Sequence, residues 1–309
     1  MSKKTAKKIP IIIDTDPGHD DALAILLLEK SGLFDIKAIT TVAGNSTIQN
    51  TTNNARYILD LIGSKTPLFS GAEKPLKREL IQAVVHGDGG LAGAVISKIE
   101  PLTGNAAEKI SEIVKKNPGE ITILTLGPQT NIATAFSKDP SLSKLVKEIV
   151  MMGGAIAVPG NKNRVAEFNI FVDPEATDIV CKAAVKKVMV PLDACNDVFL
   201  DLEDFDQLKG SSLYKPITAM MKLYIKGIQT FEKTVGAMMY DPLAAYYLIN
   251  SNAFQTVPMN IMIETAGELT RGMSVAERRN WGDKNPNIEV AMKINREAFV
   301  KDFIEILRK

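Results

Sequence analysis

Eight consecutive residues, Asp14-Thr15-Asp16-Pro17-Gly18-His19-Asp20-Asp21, carry four carboxylates. Like charges packed that closely repel, and without a counter-ion some would stay protonated. A hard cation such as Ca2+ or Mg2+ resolves the repulsion, because both ions prefer oxygen ligands. Helix capping by Asp20 or Asp21 explains one or two of the four acids and leaves the others unexplained. Pro17-Gly18 is a turn signal that folds the cluster back on itself rather than extending it. The apolar run at residues 11–13 precedes the cluster as a strand, and a helical pattern over 20–30 follows, stopping at the C-cap signal Ser31-Gly32. The acids are thus expected at the carboxyl end of a strand, where open α/β sheets bind ligands.

Positioning such a cluster takes a sheet, and short apolar runs at 36–42, 121–126, 149–152, 188–190, 261–263 and 288–294 read as its other strands. Most are continuous rather than alternating, the pattern of strands covered on both faces. Helical patterns over 48–62, 174–184 and 295–307 lie between them. The alternation predicts an α/β fold with an open, mainly parallel (mixed) sheet and helices on both faces. No repeat or linker divides the 309 residues, so a single domain over 1–309 is expected, with 1–9 a disordered basic N-terminus. Ile217, Met220, Met221, Tyr224, Ile228 and Phe231 recur at mostly helical spacing and give one apolar face. That face reads as core-facing, with the lining of an apolar pocket as the lesser reading.

The 45% apolar and 24% charged content excludes a disordered or collagen-like chain. Basic and acidic residues balance at 37 and 36, so no net field draws the chain to nucleic acid or to an anionic membrane. Cys181 and Cys195 are too few for a disulfide framework and fit a reducing compartment. The apolar run after Lys3, Lys4, Lys7 and Lys8 stops at Asp14, too short for a signal-peptide core. No stretch approaches the roughly eighteen apolar residues of a membrane span. A cytoplasmic protein is expected.

A strand followed by Asp-x-Asp also opens the haloacid-dehalogenase-type phosphatases, in which the first Asp is the nucleophile. Those enzymes usually continue with Thr or Val two residues past the second Asp, where this chain has Gly18. The segment from Asp14 to Ala22 closely resembles instead the N-terminal signature of the inosine–uridine-preferring nucleoside hydrolases. Thr40-Thr41-Val42-Ala43-Gly44-Asn45, His86-Gly87, Leu126-Gly127-Pro128-Gln129-Thr130-Asn131, Met152-Gly153-Gly154, Ala166-Glu167-Phe168-Asn169, Asp241-Pro242 and Thr270-Arg271-Gly272-Met273 resemble further family segments, in family order.

The resemblance implies a ribonucleoside hydrolase that cleaves the N-glycosidic bond with one Ca2+. By motif match, Asp16, Asp21, Asp241 and the backbone carbonyl of Leu126 would hold the ion. Asp20 and Asn45 would hold the 2′ side of the ribose, and Asn161, Glu167 and Asn169 its 3′ and 5′ hydroxyls. Met152 would pack against the sugar, and Asp14 would orient the acidic loop. Asp16 would act as general base on the attacking water. Positive charge grows on the ribose ring in an oxocarbenium-like transition state, which surrounding carboxylates and amide oxygens stabilise.

Many family members carry His immediately before the late ligand Asp; this chain has Tyr240. A phenol can donate a hydrogen bond or proton but shuttles protons less easily than imidazole. His86 matches a position that pyrimidine-preferring members use, which leans the expected substrates toward pyrimidine ribonucleosides. His19 falls at a position the motif leaves open and reads as a loop residue near the site. The polar stretch 267–287 reads as a mobile loop, whose Trp281 could stack on a base or sit in a subunit contact. The family also implies a homodimer or homotetramer. A nucleoside- or ribose-binding protein impaired in catalysis by Tyr240 is the alternative from another class.

Overall fold

Ile11 and Ile13 of the first strand pack into one apolar cluster, and Ile12 between them packs into another. The division repeats at Leu124 against Ile123, at Val150 against Ile149 and Met151, and at Val188 and Val190 against Met189. Side chains alternate along a strand, so a sheet feeding two such clusters is covered on both faces.

The computed structural model describes residues 7–96, 105–283 and 285–309. Its first part runs β1 (Ile9–Thr15), α1 (His19–Ser31), β2 (Phe34–Thr41), α2 (Ile48–Leu61), β3 (Leu68–Ser70), α3 (Ala106–Lys116), β4 (Thr122–Thr125) and α4 (Thr130–Lys138). Then come β5 (Glu148–Met152), α5 (Phe168–Val172), α6 (Pro174–Lys182), β6 (Lys187–Val190), α7 (Leu192–Cys195), β7 (Phe199–Leu200) and α8 (Leu202–Asp206). The last part is α9 (Tyr214–Phe231), β8 (Ala237–Met238), α10 (Tyr240–Ile249), β9 (Phe254–Met259), β10 (Ile261–Ile263), β11 (Ser274–Ala276), β12 (Ile288–Ile294) and α11 (Arg296–Leu307).

One eight-stranded sheet has the order β3-β2-β1-β4-β5-β6-β12-β9. All its pairs are parallel except β12 with β9. The expected α/β class and the mixed, mainly parallel sheet are therefore observed. α1, α2, α9, α10 and α11 pack on one face, and α3, α4 and α6 on the other. The strand order reverses between β1 and β4, and a crevice opens outside the carboxyl ends of such a pair.

α1 has no solvent face over most of its length: residues 22–28 are all fully buried. A helix that is apolar all round belongs inside a core, and α1 packs against α2, α9, α10 and α11. The acidic cluster is therefore mounted on the most enclosed helix of the molecule.

Three expectations need correction. The run 261–263 is a strand outside the main sheet, paired antiparallel with β11 in a small hairpin. The edge place goes to β9, whose exposed middle and Pro258 suit an edge that need not donate every ladder bond. Residues 267–287 are not one loop, because β11 lies inside them. Most of the expected N-terminal tail, residues 1–6, lies outside the described residues, and Ile9 already belongs to β1. Among the described residues no helix is long and apolar enough to cross a membrane.

Candidate functional site

Asp14 and Thr15 end β1, the turn Asp16-Pro17-Gly18 leaves the sheet, and α1 starts at His19. Asp21 holds the turn: its Oδ2 accepts the Gly18 backbone N–H at 2.9 Å and the Asn45 side-chain amide at 3.1 Å, while Thr15 donates to Oδ1. Asp16 Oδ2 accepts the Asn45 backbone N–H at 2.6 Å. Its Oδ1 is buried without a hydrogen-bond partner among the described residues, as is Oδ1 of Asp20. The backbone of Gly127 closes over that free oxygen, and a Cβ there would lie 2.4 Å from Asp16 Oδ1.

Asp241 arrives from the first turn of α10. Carboxylate oxygens of Asp20, Asp21 and Asp241 lie within 4.8 Å of one another. Burial, and next the Asp21 charge, push the carboxyls of Asp16, Asp20 and Asp241 well above the usual carboxylate range. Burial raises Asp21 as well, against the hydrogen bond from Thr15. An unpaired buried carboxylate is costly, so this donor set, with two orphaned oxygens, fits a hard divalent cation. Asp14 lies behind the cluster, and burial lifts it to about 7 although Thr40 and Asn131 donate to Oδ1.

Beside the cluster a cleft opens. Asp20, Asn45, His86, Leu126, Met152, Asn161, Glu167, Asn169, Tyr240 and Asp241 all line it. Asp16 and Asp21 sit behind that wall with no exposure. Residues from α1, β5, α5 and α10, from the turns that follow β2 and β4, and from the 71–96 loop, far apart in sequence, thus meet at one crevice. The Leu126 carbonyl points at the Asn169 amide, 2.7 Å away, and keeps a second lone pair. Glu167 caps α5 and Gly154: Oε1 accepts from the Asn169 N–H at 2.7 Å and Oε2 from Gly154 and Ile170, each at 3.2 Å. Burial nevertheless raises Glu167 to about 7. Asn161 accepts the Phe168 backbone N–H at 2.9 Å.

Burial first, then the charges of Glu232 and other acidic neighbours, holds the Tyr240 phenol well above its usual range. It is therefore a firmly protonated O–H at the cleft wall. His19 is not a loop residue: it opens α1, fully buried under His86, with its ring stacked on Tyr224 at 5.0 Å. The apolar stripe of α9 resolves into both readings, since Ile217, Met220, Met221 and Ile228 are core while Tyr224 and Phe231 border the cleft. Sequence reasoning missed Val84, Lys162 and Glu232 as lining residues. Only the α9 periodicity pointed toward this wall; nothing local marked Val84. Trp281 is 81% exposed beside Arg279 and does not line the cleft.

Against known proteins, the model of the inosine-uridine preferring nucleoside hydrolase family matches residues 11–301. The pyrimidine-specific ribonucleoside hydrolase RihA of Shigella boydii is 36% identical over 301 residues, covering 94% of this chain and 96% of that protein. The protein of that name from Salmonella enteritidis is 36% identical over 309 residues, covering 97% and 98%. Among solved structures, a plant nucleoside hydrolase superposes with a TM-score of 0.92 at 30% identity, covering 98% of this chain and 99% of that one. A purine-preferring ribonucleoside hydrolase from Gardnerella vaginalis gives 0.90 at 27% identity, covering 97% and 98%. With its acidic cluster, its cleft and a match along nearly its whole length, this chain belongs to the inosine-uridine preferring nucleoside hydrolase family and is an N-glycosyl hydrolase.

Proposed function

We propose that this enzyme hydrolyses pyrimidine ribonucleosides to ribose and free base at a calcium site built from Asp16, Asp21, Asp241 and the Leu126 carbonyl. The observation that carries the reading is the buried acidic cluster, with two carboxylate oxygens unpartnered among the described residues, beside a cleft lined by the residues that match the family's sugar-holding positions. Calcium bound there would orient a water and make it more acidic. Asp16 Oδ1, which has no hydrogen-bond partner among the described residues, would accept a proton from the attacking water as general base. Asp20 and Asn45 hold the 2′ side of the ribose; Asn161, Glu167 and Asn169 hold the 3′ and 5′ hydroxyls; Met152 supports the ring. Anionic and amide oxygens around the sugar stabilise the positive charge that grows there. Holding the hydroxyls also aligns the sugar for attack, so ribosides react faster than deoxyribosides.

On the leaving side, Tyr240 presents the protonated phenol and His86 the base-facing imidazole. Their pairing supports the pyrimidine preference, as does the naming of the 36%-identical relatives; the purine-preferring structural relative weighs the other way at lower identity. Two buried free cysteines suit a reducing compartment, which supports a cytoplasmic salvage role.

The test is release of free base from uridine, cytidine, inosine, adenosine and deoxyuridine. Uridine is expected to exceed inosine in kcat/KM, and inosine ahead of uridine would overturn the preference. Binding of several nucleosides with cleavage of none would make the chain a binding protein instead. The role of Tyr240 has its own signature. Tyr240→Phe is expected to slow uridine hydrolysis about 100-fold while slowing a p-nitrophenyl riboside far less, because an activated leaving group needs no acid. Equal losses on both substrates would remove Tyr240 from the leaving-group role.

A further inference from the structure

Glu232 places a carboxylate at the cleft wall that no contact of the fold uses. It is half-buried, and among the described residues its side chain makes no hydrogen bond and no ion pair. Burial alone moves its carboxyl, upward, with no cation or donor to answer it. Two lysines could have served it, and neither does. Lys162 lines the same cleft, but its ammonium lies over the Phe168 ring, 5.5 Å from the centroid. Lys233, next in the chain, donates instead to the Thr230 carbonyl at 2.7 Å.

The end of α9 puts the residue there. The backbone N–H groups of Glu232 and Lys233 both donate to the Ile228 carbonyl, at 2.9 and 3.1 Å. Lys233 closes the helix at a φ of 60°, the one non-glycine residue at positive φ among the described residues. That left-handed position is usually given to glycine, because a side chain strains it. The helix thus ends abruptly, with Phe231 and Glu232 both lining the cleft. The charge of Glu232 bears on Asp20, on Tyr224 and, ahead of every other charge, on the Tyr240 phenol. It therefore stands on the leaving-group side of the cleft.

We infer that Glu232 is a specificity-determining residue that reads the base, its carboxylate accepting a hydrogen bond from an exocyclic amino group such as that at C4 of cytosine. An ionised carboxylate only accepts. Cytosine presents an amino donor where uracil presents the carbonyl oxygen O4. The one ring donor of uracil, N3–H, lies between two carbonyl oxygens, which a carboxylate repels. Attraction to one base and repulsion from the other thus act in the same direction. A site built to hydrogen-bond a polar group of its substrate discriminates strongly against the analogue that lacks it. The assignment rests on the hydrolase reading above, which makes the Tyr240 side the base side.

The test compares kcat/KM for cytidine and uridine at pH 8 in the calcium-loaded parent, Glu232→Gln and Glu232→Leu. The change in their ratio on substitution cancels the intrinsic difference between the two leaving groups. Glu232→Gln should lower the cytidine-to-uridine ratio about tenfold, the weight of one charge-assisted hydrogen bond at a partly exposed position. Cytidine should account for the fall, while uridine holds or gains, because the new amide can donate to O4. Glu232→Leu should also lose cytidine hydrolysis and leave uridine near the parent rate. Inhibition by free ribose should be the same in all three proteins, which shows the sugar pocket intact. Equal losses on both nucleosides would make Glu232 a structural residue and overturn the proposal, as would an unchanged ratio. If no riboside is cleaved, the hydrolase reading fails on its own account. The same ratio is then taken from the dissociation constants of the two nucleosides, where no change on substitution overturns the assignment of Glu232.

Discussion

Asp16→Ala is expected to lose about 10³-fold or more of kcat on uridine, the usual weight of a positioned general base. Its carboxylate is held by the backbone on one side. Asn45 fixes Oδ2 at 2.6 Å, and Oδ1 has no partner among the described residues. Asp16→Asn separates chemistry from packing, since it keeps the shape but cannot take a proton. It should lose nearly as much activity as the alanine variant. Both variants remove one of several mutually repelling buried carboxyls, so the metal-free protein should melt at a higher temperature than the metal-free parent. Activity lost while apo stability rises is the mark of a site strained for function. Near-normal turnover from either variant would sink the base assignment.

Chelation is expected to abolish riboside cleavage, and calcium to restore it. The effect on stability should also depend on pH in a definite direction. Burial raises Asp14 and Glu167 to about 7 and pushes the cluster acids up as well. A carboxyl whose folded pKa exceeds its unfolded value binds more protons when folded. Its contribution to the metal-free fold is complete below about pH 4, near the unfolded carboxylate value, and is lost as pH rises through the folded value. The EDTA-treated protein should therefore melt at progressively lower temperature from pH 5 to pH 8. A bound cation needs the deprotonated acids and competes with those protons, so calcium should flatten the slope. At a hundredfold excess over Kd, ligand binding adds about 2.7 kcal/mol, and a falling Kd toward pH 8 enlarges the thermal shift at fixed calcium. Melts at pH 5.5 and 8, with and without calcium, measure this. A calcium-induced shift that is larger at pH 5.5 would contradict the site.

The acidic cluster was legible because its geometry is local: strand, Pro-Gly turn and helix start lie within thirteen residues, 9 to 21. The central strands were legible for a related reason, since burial on both faces leaves uninterrupted apolar runs such as Ile11-Ile12-Ile13. β9 was not, because an edge strand with Gln255, Thr256 and Pro258 carries no such run. The three-residue β3 is too short to show a period. The hairpin strand β10 looked like any core strand, and its partner β11 hid inside a polar stretch. His19 shows the sharper limit. Its partners, His86, Ala92 and Tyr224, come from distant segments, and no local pattern announces a ring stack assembled by packing.

The enclosure of α1 bears on how the site breathes. Binding loops are commonly drawn from the segments that open most readily. Here Asp20 and Asp21 occupy the first turn of a helix whose residues 22–28 never meet solvent. Its amides can exchange with deuterium only through an opening that separates it from α2, α9, α10 and α11 together. The acids that would hold the ion therefore cannot loosen ahead of the protein as a whole. Opening and closing around a nucleoside must fall to the other walls, where Val84 and Phe231 stand 58% and 57% exposed at the cleft. Exchange rates should divide along that line: α1 among the last segments to pick up deuterium, and the 83–86 and 231–235 stretches among the first.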